Sequence, residues 1–507
     1  ENILDAAPKF NLRNFSTILI INFKFLLSLL CKQSFPWPPR KQKMTITSVE
    51  TVVAIAQTAQ AEIETASQKT VDELITGLAW AILEPKTNRS LAEQAVRDTG
   101  LGNAEDKIIK NHRKTLGLLR DLKHAPSCGI IRKLPEQGLV EIARPVGVVG
   151  AVTPSTNPIA TPLNKTLNAI KGRNAIILSP SPKGEAVCQR VVDLLQDVLR
   201  SLGHPENLIQ KLPAPVSKEA THELMQLVDL VVVTGSQNNV RASYRSGTPA
   251  IGVGAGNVST IIDETADLVS AAKKITVSKA FDNATSCSSE NSVVIVDEVY
   301  EKAVAALEKE GGTMLSQEET QNLQNALWIQ GRLNPDLTAK SAPEIAEAIG
   351  LQRVEMNNVK MLMVEETGTG FEFPFSGEKL CPVLTVYRAS NFETACEQVR
   401  EIYDFQGKGH SVGLHSTDES RPLQIGLNLP ACRVIVNQAH CFATGGSFDN
   451  GLPFSLSMGC GTWGGNSISE NLNYRHYLNI VRIVRPIPPV EPSDEDIFGE
   501  YWTKHGR

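Results

Sequence analysis

The chain has 507 residues, 41% of them hydrophobic and 21% charged, with a formal net charge of -5. That length allows two or three domains around a large core, and the mildly acidic balance argues against nucleic acid or an anionic membrane as partner. Nine cysteines and nine histidines are dispersed, with no Cys-x-x-Cys pair, no His-Glu-x-x-His helix and no zinc-like spacing. Neither a disulfide framework nor a metal site is expected, and a cytoplasmic location is.

Residues 15–30 are strongly apolar but carry Lys24, and the run is short for a membrane span. Residues 1–43 are read as a non-native or disordered extension, with a start of the fold near Met44. Residues 49–122 repeat apolar positions three and four apart, as at Leu74, Leu78 and Ile82, which predicts helices. Residues 129–144 shift to a strand-like pattern around the turn Glu136-Gln137-Gly138, which predicts a hairpin. A two-stranded ribbon is marginal alone, so it packs on the body or on another subunit.

Apolar strands at 146–152, 175–178, 230–233 and 258–262 then alternate with helices at 161–171, 185–202 and 218–228. Such alternation marks a buried parallel sheet with helices on both faces and a ligand crevice at the carboxyl ends of its strands. A second block has strands at 293–296, 360–364, 384–387, 411–414 and 433–436, with helices at 299–309 and from Ser316, where Ser316-x-x-Glu319 forms a capping box. Two successive α/β domains suggest a site in the cleft between them. Residues 477–484 read as a strand-like tail, followed by a proline-rich stretch.

Five places carry chemistry. Cys287 sits among small and hydroxylated residues between a helix and a strand, where a thiol is either a nucleophile or a buried structural cysteine. Asn157, in Thr153-Pro154-Ser155-Thr156-Asn157-Pro158 after a strand, is either an amide donor to an oxyanion or an Asx-turn residue. Ser179, Ser181 and Lys183 lie at a strand end before a helix, a phosphate or ribose site or a capped helix start. Gly235 and Ser236 follow another strand, where the backbone can approach a ligand and helix N–H groups are free. Gly252-Val253-Gly254-Ala255-Gly256 reads as a loop with three alternate glycines and is neither a dinucleotide fingerprint nor a Walker loop.

Taken in order, these segments resemble the aldehyde dehydrogenase superfamily, and more closely its CoA-acylating branch, over nearly all of residues 60–485. The most specific parts are Phe281-Asp282-Asn283 leading to Cys287-Ser288-Ser289-Glu290, then Glu378-Lys379-Leu380-Cys381-Pro382-Val383, then Gly459-Cys460-Gly461-Thr462-Trp463-Gly464-Gly465-Asn466-Ser467. The resemblance implies an α/β fold of two Rossmann-type domains with a β-ribbon oligomerisation element, and a homodimer or homotetramer. It implies Cys287 as the nucleophile that attacks an aldehyde, Asn157 as the oxyanion donor, and His410 as a base for the CoA thiol or else a structural histidine. Glu378 then falls on the nicotinamide ribose, and Thr153, Ser179, Ser181, Gly235, Ser236 and Gly254 on the cofactor site. The implied division is 1–43 extension, 44–263 nicotinamide cofactor-binding domain completed by about 440–475 with the 129–144 hairpin, 264–439 catalytic domain, and 476–507 oligomerisation strand and tail.

The departures matter too. Hydrolytic members of the superfamily hold a water-activating glutamate, and the position corresponding to it is read as Gly252. Without that base a Cys287 thioester awaits a thiol, so coenzyme A is the expected co-substrate. With Ser179 and Pro182 in the ribose-binding stretch and Lys183 beside them, NADP or NAD both fit. Residues 437–451 are similar to the acylating sulfoacetaldehyde dehydrogenases, which implies sulfoacetaldehyde as the small-molecule substrate and hydroxyl and amide donors for its sulfonate. The arginine or lysine such an anion wants is not identified by sequence, and Arg433 is a guess. The alternatives are a CoA-acylating acetaldehyde or other short-chain enzyme, or an inactive, structural or shell-associated homologue.

Overall fold

The computed structural model describes residues 48–507 apart from 255 and 352–357. The extension at 1–43, with its apolar run, lies outside the described residues, as does Ala255. Among the described residues no helix is long and apolar enough to cross a membrane.

Helices Val49–Ile63, Gln68–Leu83, Pro85–Thr99 and Ala104–Leu122 come first. Ser48, Ser67 and Asn103 cap three of them, each side chain accepting a backbone N–H of the first turn. Strands β1 (Gly129–Leu134) and β2 (Leu139–Pro145) form the expected hairpin, with Gly138 at φ 62 in the turn. Then follow β3 (Val148–Thr153), β4 (Ala175–Pro180), β5 (Ile209–Lys211), β6 (Leu230–Thr234) and β7 (Ala250–Val253), a parallel sheet ordered β5-β4-β3-β6-β7. Its direction of winding reverses between β3 and β6, so the loops leaving β3, β4 and β6 converge at one crevice.

The second sheet takes β8 (Val258–Ile262), β9 (Glu290–Val296), β10 (Gly312–Met314), β13 (Met361–Glu365), β14 (Val383–Ala389), β15 (Val412–His415) and β16 (Val434–Val436), ordered β10-β13-β14-β9-β8-β15-β16 and parallel throughout. Between β10 and β13 lies a small hairpin, β11 (Trp328–Ile329) with β12 (Arg332–Leu333). The two faces of the seven-stranded sheet are covered by helices over separate apolar clusters, one around Ile275, Leu307 and Met363, the other around Val399, Tyr403 and Leu414. The Ser316 capping box is present.

Two readings are corrected here. Residues 258–262, read with the first sheet, pair with β9 and β15 and so belong to the second. Gly252, read in a loop, lies inside β7 opposite Val233. The tail strand β17 (Leu478–Val484) pairs antiparallel with β2 of the same chain, completing a three-stranded ribbon, and a helix at Asp494–His505 follows it.

Candidate active site

Cys287 lies just before β9, after a strained turn in which Asp282, Asn283 and Ala284 all take positive φ (50, 52 and 56). That turn is held by a buried ionic cluster. The fully buried Asp282 carboxylate accepts from Lys107 Nζ (3.1 and 3.2 Å), from Lys110 Nζ, from Thr285 Oγ1 (2.7 Å) and from the Asn103 N–H (3.0 Å). Burial works to raise this carboxyl, but Lys110 and Lys107 outweigh it and hold it below the usual carboxylate range. Burial lowers Lys107 to about 8 in spite of Asp282.

Lys110 extends the cluster to Asn157, donating to its Oδ1 at 3.1 Å. An ammonium can only donate, so the contact fixes which amide atom faces it. Asn157 Nδ2 is turned the other way and donates only a long hydrogen bond to its neighbour Thr156 Oγ1 (3.4 Å). This is the orientation an oxyanion donor needs.

His410 faces Cys287, Nε2 to Sγ 3.8 Å. Its Nδ1 is 2.7 Å from Ser411 Oγ, which is 2.8 Å from His440 Nε2. The chain is consistent if His410 Nδ1–H donates to Ser411 and Ser411 donates to His440, which leaves His410 Nε2 free to accept from the thiol. Burial, aided by Arg433, pushes His410 down to about 3. Burial, aided by Glu378, pushes the Cys287 thiol up to about 12. The pair is therefore neutral thiol and neutral imidazole, not an ion pair.

Gly256 packs directly on this pair: a Cβ there would lie 2.3 Å from the Cys287 carbonyl oxygen and 3.3 Å from the His410 ring. A side chain at 252 would instead strike Val240 (2.7 Å) and Tyr244 (3.4 Å). Gly252, read from sequence as the position of the missing base, therefore does not face the thiol, whereas Gly256 does. Glu378 is the acid that acts on Cys287, and burial raises it to about 8, leaving it protonated at neutral pH. Its Oε1 is buried with no hydrogen-bond partner.

Thr153, Ser179, Ser181, Gly235 and Ser236 line one groove at the carboxyl ends of β3, β4 and β6. Thr153 Oγ1 and Ser181 Oγ are buried there without partners, and a Cβ on Gly235 would meet only Asn239, at 3.8 Å. Ser236 caps the helix Gln237–Arg245, whose N–H groups open on the same groove. Orphaned donors, an open glycine and a helix start suit a pyrophosphate and ribose. Lys183 is exposed outside this lining; Lys218, Arg241 and Arg245 supply the positive charge instead. Gly254 sits against Gln237 at the start of that helix.

Arg433 does not fit an anion receptor. Its guanidinium already donates to Asn471 Oδ1 and to the carbonyls of His410, Gly459 and Ser469 (2.9–3.1 Å). Residues 437–451 spend their polar groups largely on themselves, as Asn450 Nδ2 does on Gln438 and Ala443. Sequence reasoning assigned no role to Lys107, Lys110, Asp282 or His440. A signal existed for the lysines: Lys107, Lys110, Asn111, Lys114 and Thr115 recur at helical spacing on the buried face of Ala104–Leu122.

The aldehyde dehydrogenase family model matches residues 40–323. An acylating sulfoacetaldehyde dehydrogenase of Cupriavidus necator is 56% identical over 93% of this chain and 95% of its own. Among solved structures, an acetylating aldehyde dehydrogenase from Geobacillus thermoglucosidasius matches with a TM-score of 0.84 and 36% identity, covering 88% of this chain and 98% of its own. A propionaldehyde dehydrogenase from Rhodopseudomonas palustris with bound CoA and an acylated cysteine matches with a TM-score of 0.76 and 25% identity, over 86% and 97%. On the family match across more than half its length and this relative spanned almost end to end, the chain belongs to the aldehyde dehydrogenase family.

Proposed function

We propose that this chain is an acylating aldehyde dehydrogenase that oxidises sulfoacetaldehyde with NAD(P)+ and coenzyme A to sulfoacetyl-CoA. The observation that carries the acylating chemistry is the neutral Cys287–His410 pair backed by Gly256, with Glu378, the acid that acts on the thiol, held protonated. The substrate rests on similarity to the 56% identical relative.

In this reading Cys287 Sγ attacks the aldehyde carbon while His410 Nε2 takes the thiol proton, forming a thiohemiacetal. Asn157 Nδ2 and the Cys287 backbone N–H donate to the developing oxyanion. Thr153, Ser179, Ser181, Gly235 and Ser236 would hold NAD(P)+, whose nicotinamide would accept the hydride leaving the same carbon, and Cys287 would be left as a thioester. His410 passes that proton to solvent and then takes the proton of the CoA thiol, whose sulfur displaces Cys287. The acyl group leaves on CoA, Cys287 regains a proton, and one proton in all goes to solvent.

NADP and CoA share a phosphorylated adenosine, and Lys218, Arg241 and Arg245 on the groove wall suit its phosphate, although NAD also fits. A homodimer or homotetramer accounts for Val481, Ile483 and Val484, exposed on the edge strand β17, and for the C-terminal helix with no buried residue. The expected location is cytoplasmic. The test is NAD(P)H formation from sulfoacetaldehyde, acetaldehyde and propanal in the presence of CoA, in wild type and Cys287→Ala. Sulfoacetaldehyde is expected to have the highest kcat/KM, with Cys287→Ala inactive. Equal rates would remove the substrate, and no turnover of any aldehyde would favour an idle homologue.

A further inference from the structure

A cavity opens beside the reacting cysteine, lined by Asn157, Ser286 and Ser288 on the catalytic side and by Phe281, Phe442 and Met458 on its apolar side. Three cations from one helix, Lys110, Arg113 and Lys114, also line it. An uncharged short-chain aldehyde gives no reason for so much positive charge.

The three cations are not equivalent. Lys110 is neutralised by Asp282 and aimed at Asn157. Lys114 Nζ donates to the carbonyls of Gly445 (3.0 Å) and Gly446 (3.3 Å), and burial lowers it to about 8. Arg113 makes no ion pair among the described residues, and its Nε is buried with no hydrogen-bond partner. Its Nη2 donates to Ser447 Oγ at 2.5 Å, and its guanidinium carbon lies 5.5 Å from the Phe442 ring centre and 5.2 Å from that of Phe448. Asp449 lies behind Ser447, accepting its hydroxyl proton, and is held low by that hydroxyl first and by Arg113 among other causes. The guanidinium is thus stacked and oriented while retaining an unspent donor.

We infer that Arg113 is the receptor for the anionic group of the substrate, binding its sulfonate oxygens while Cys287 addresses the aldehyde carbon; this rests on the function proposed above. A planar guanidinium matches an oxyanion with two parallel N–H donors, which an ammonium cannot do. Residues 437–451 then act indirectly, through Phe442, Ser447 and Phe448, by holding Arg113 in place rather than by supplying donors.

The test compares kcat/KM for sulfoacetaldehyde, acetaldehyde and 4-oxobutanoate in the full-length wild type, Arg113→Met and Arg113→Lys, with melting curves as a folding control. The sulfoacetaldehyde-to-acetaldehyde ratio is expected to fall about 10- to 100-fold in Arg113→Met, the size of a lost hydrogen bond to a charged group. Inhibition by 2-hydroxyethanesulfonate should weaken by a similar factor. Arg113→Lys should fall between, and it carries the same readout if Arg113→Met does not fold. A wild-type preference for sulfoacetaldehyde that survives both substitutions overturns the inference and leaves the proposed function intact. An Arg113-dependent preference for 4-oxobutanoate instead upholds the anion receptor and overturns the sulfonate substrate. A wild type that prefers acetaldehyde overturns both.

Discussion

Lys110→Met is the most informative single change, because it separates holding Asn157 from being Asn157. Lys110 Nζ touches Asp282 Oδ2, Thr285 Oγ1 (3.0 Å) and Asn157 Oδ1 (3.1 Å). Removing one partner of a buried ion pair costs about 3–5 kcal/mol when the other charge is left alone. Here Asp282 keeps Lys107, Thr285 and the Asn103 N–H, so a loss of about 2 kcal/mol is expected, the scale of one hydrogen bond to a charged group. The kinetic effect is separate. Deleting an oxyanion donor costs about 10²–10³ in kcat, so Asn157→Ala should fall in that range. Lys110→Met, which leaves the donor in place but unanchored, should cost about 10–100-fold. A double-mutant cycle on kcat decides the route: if Lys110 acts through Asn157, adding Lys110→Met to Asn157→Ala changes kcat by less than about threefold. Full additivity of the two losses would refute the positioning role.

The neutral thiol–imidazole pair has its own signature. With Cys287 pushed up to about 12 and His410 down to about 3, iodoacetamide inactivation should rise about tenfold per pH unit from pH 6 to 9 with no plateau; a plateau below pH 7 would mean a thiolate–imidazolium pair instead. His410→Ala should lower kcat by about 10²–10³ and slow alkylation at pH 7 as well, whereas a merely structural histidine would leave alkylation unchanged. Gly256→Ala places a Cβ 2.3 Å from the Cys287 carbonyl, and the resulting displacement should cost about 100-fold in kcat with near-normal protein yield.

Much of the fold was legible because burial writes itself into sequence. The strands β3, β4 and β6, and β9 from Val293 on, are largely apolar runs with helical periodicity between them, as a parallel sheet buried on both faces requires. What failed was membership: β8 is buried along its length as β6 is, and nothing local says that Val258 pairs with Glu290 rather than with the strand before it. β7 was hidden by Gly252, which weakens any strand signal. At the site, Cys287 and His410, read from well-separated segments, meet in the structure, and Asn157 lines one cavity with Ser286 and Ser288. The groove residues were legible by their place at strand ends, but Lys183 was chosen over Lys218, Arg241 and Arg245 because only the first adjoins the strand end in sequence. The Asp282–Lys107–Lys110 cluster joins residues about 175 apart, beyond any periodicity argument.

The central claim is that the Cys287 thioester is surrendered to a thiol and not to water. Enzyme, sulfoacetaldehyde and NADP+ or NAD+ are incubated with and without CoA, and products are quantified by mass spectrometry alongside NAD(P)H. The account predicts one sulfoacetyl-CoA per NAD(P)H when CoA is present, and without it no more than one NAD(P)H per Cys287. Sustained turnover to sulfoacetate without CoA would contradict it.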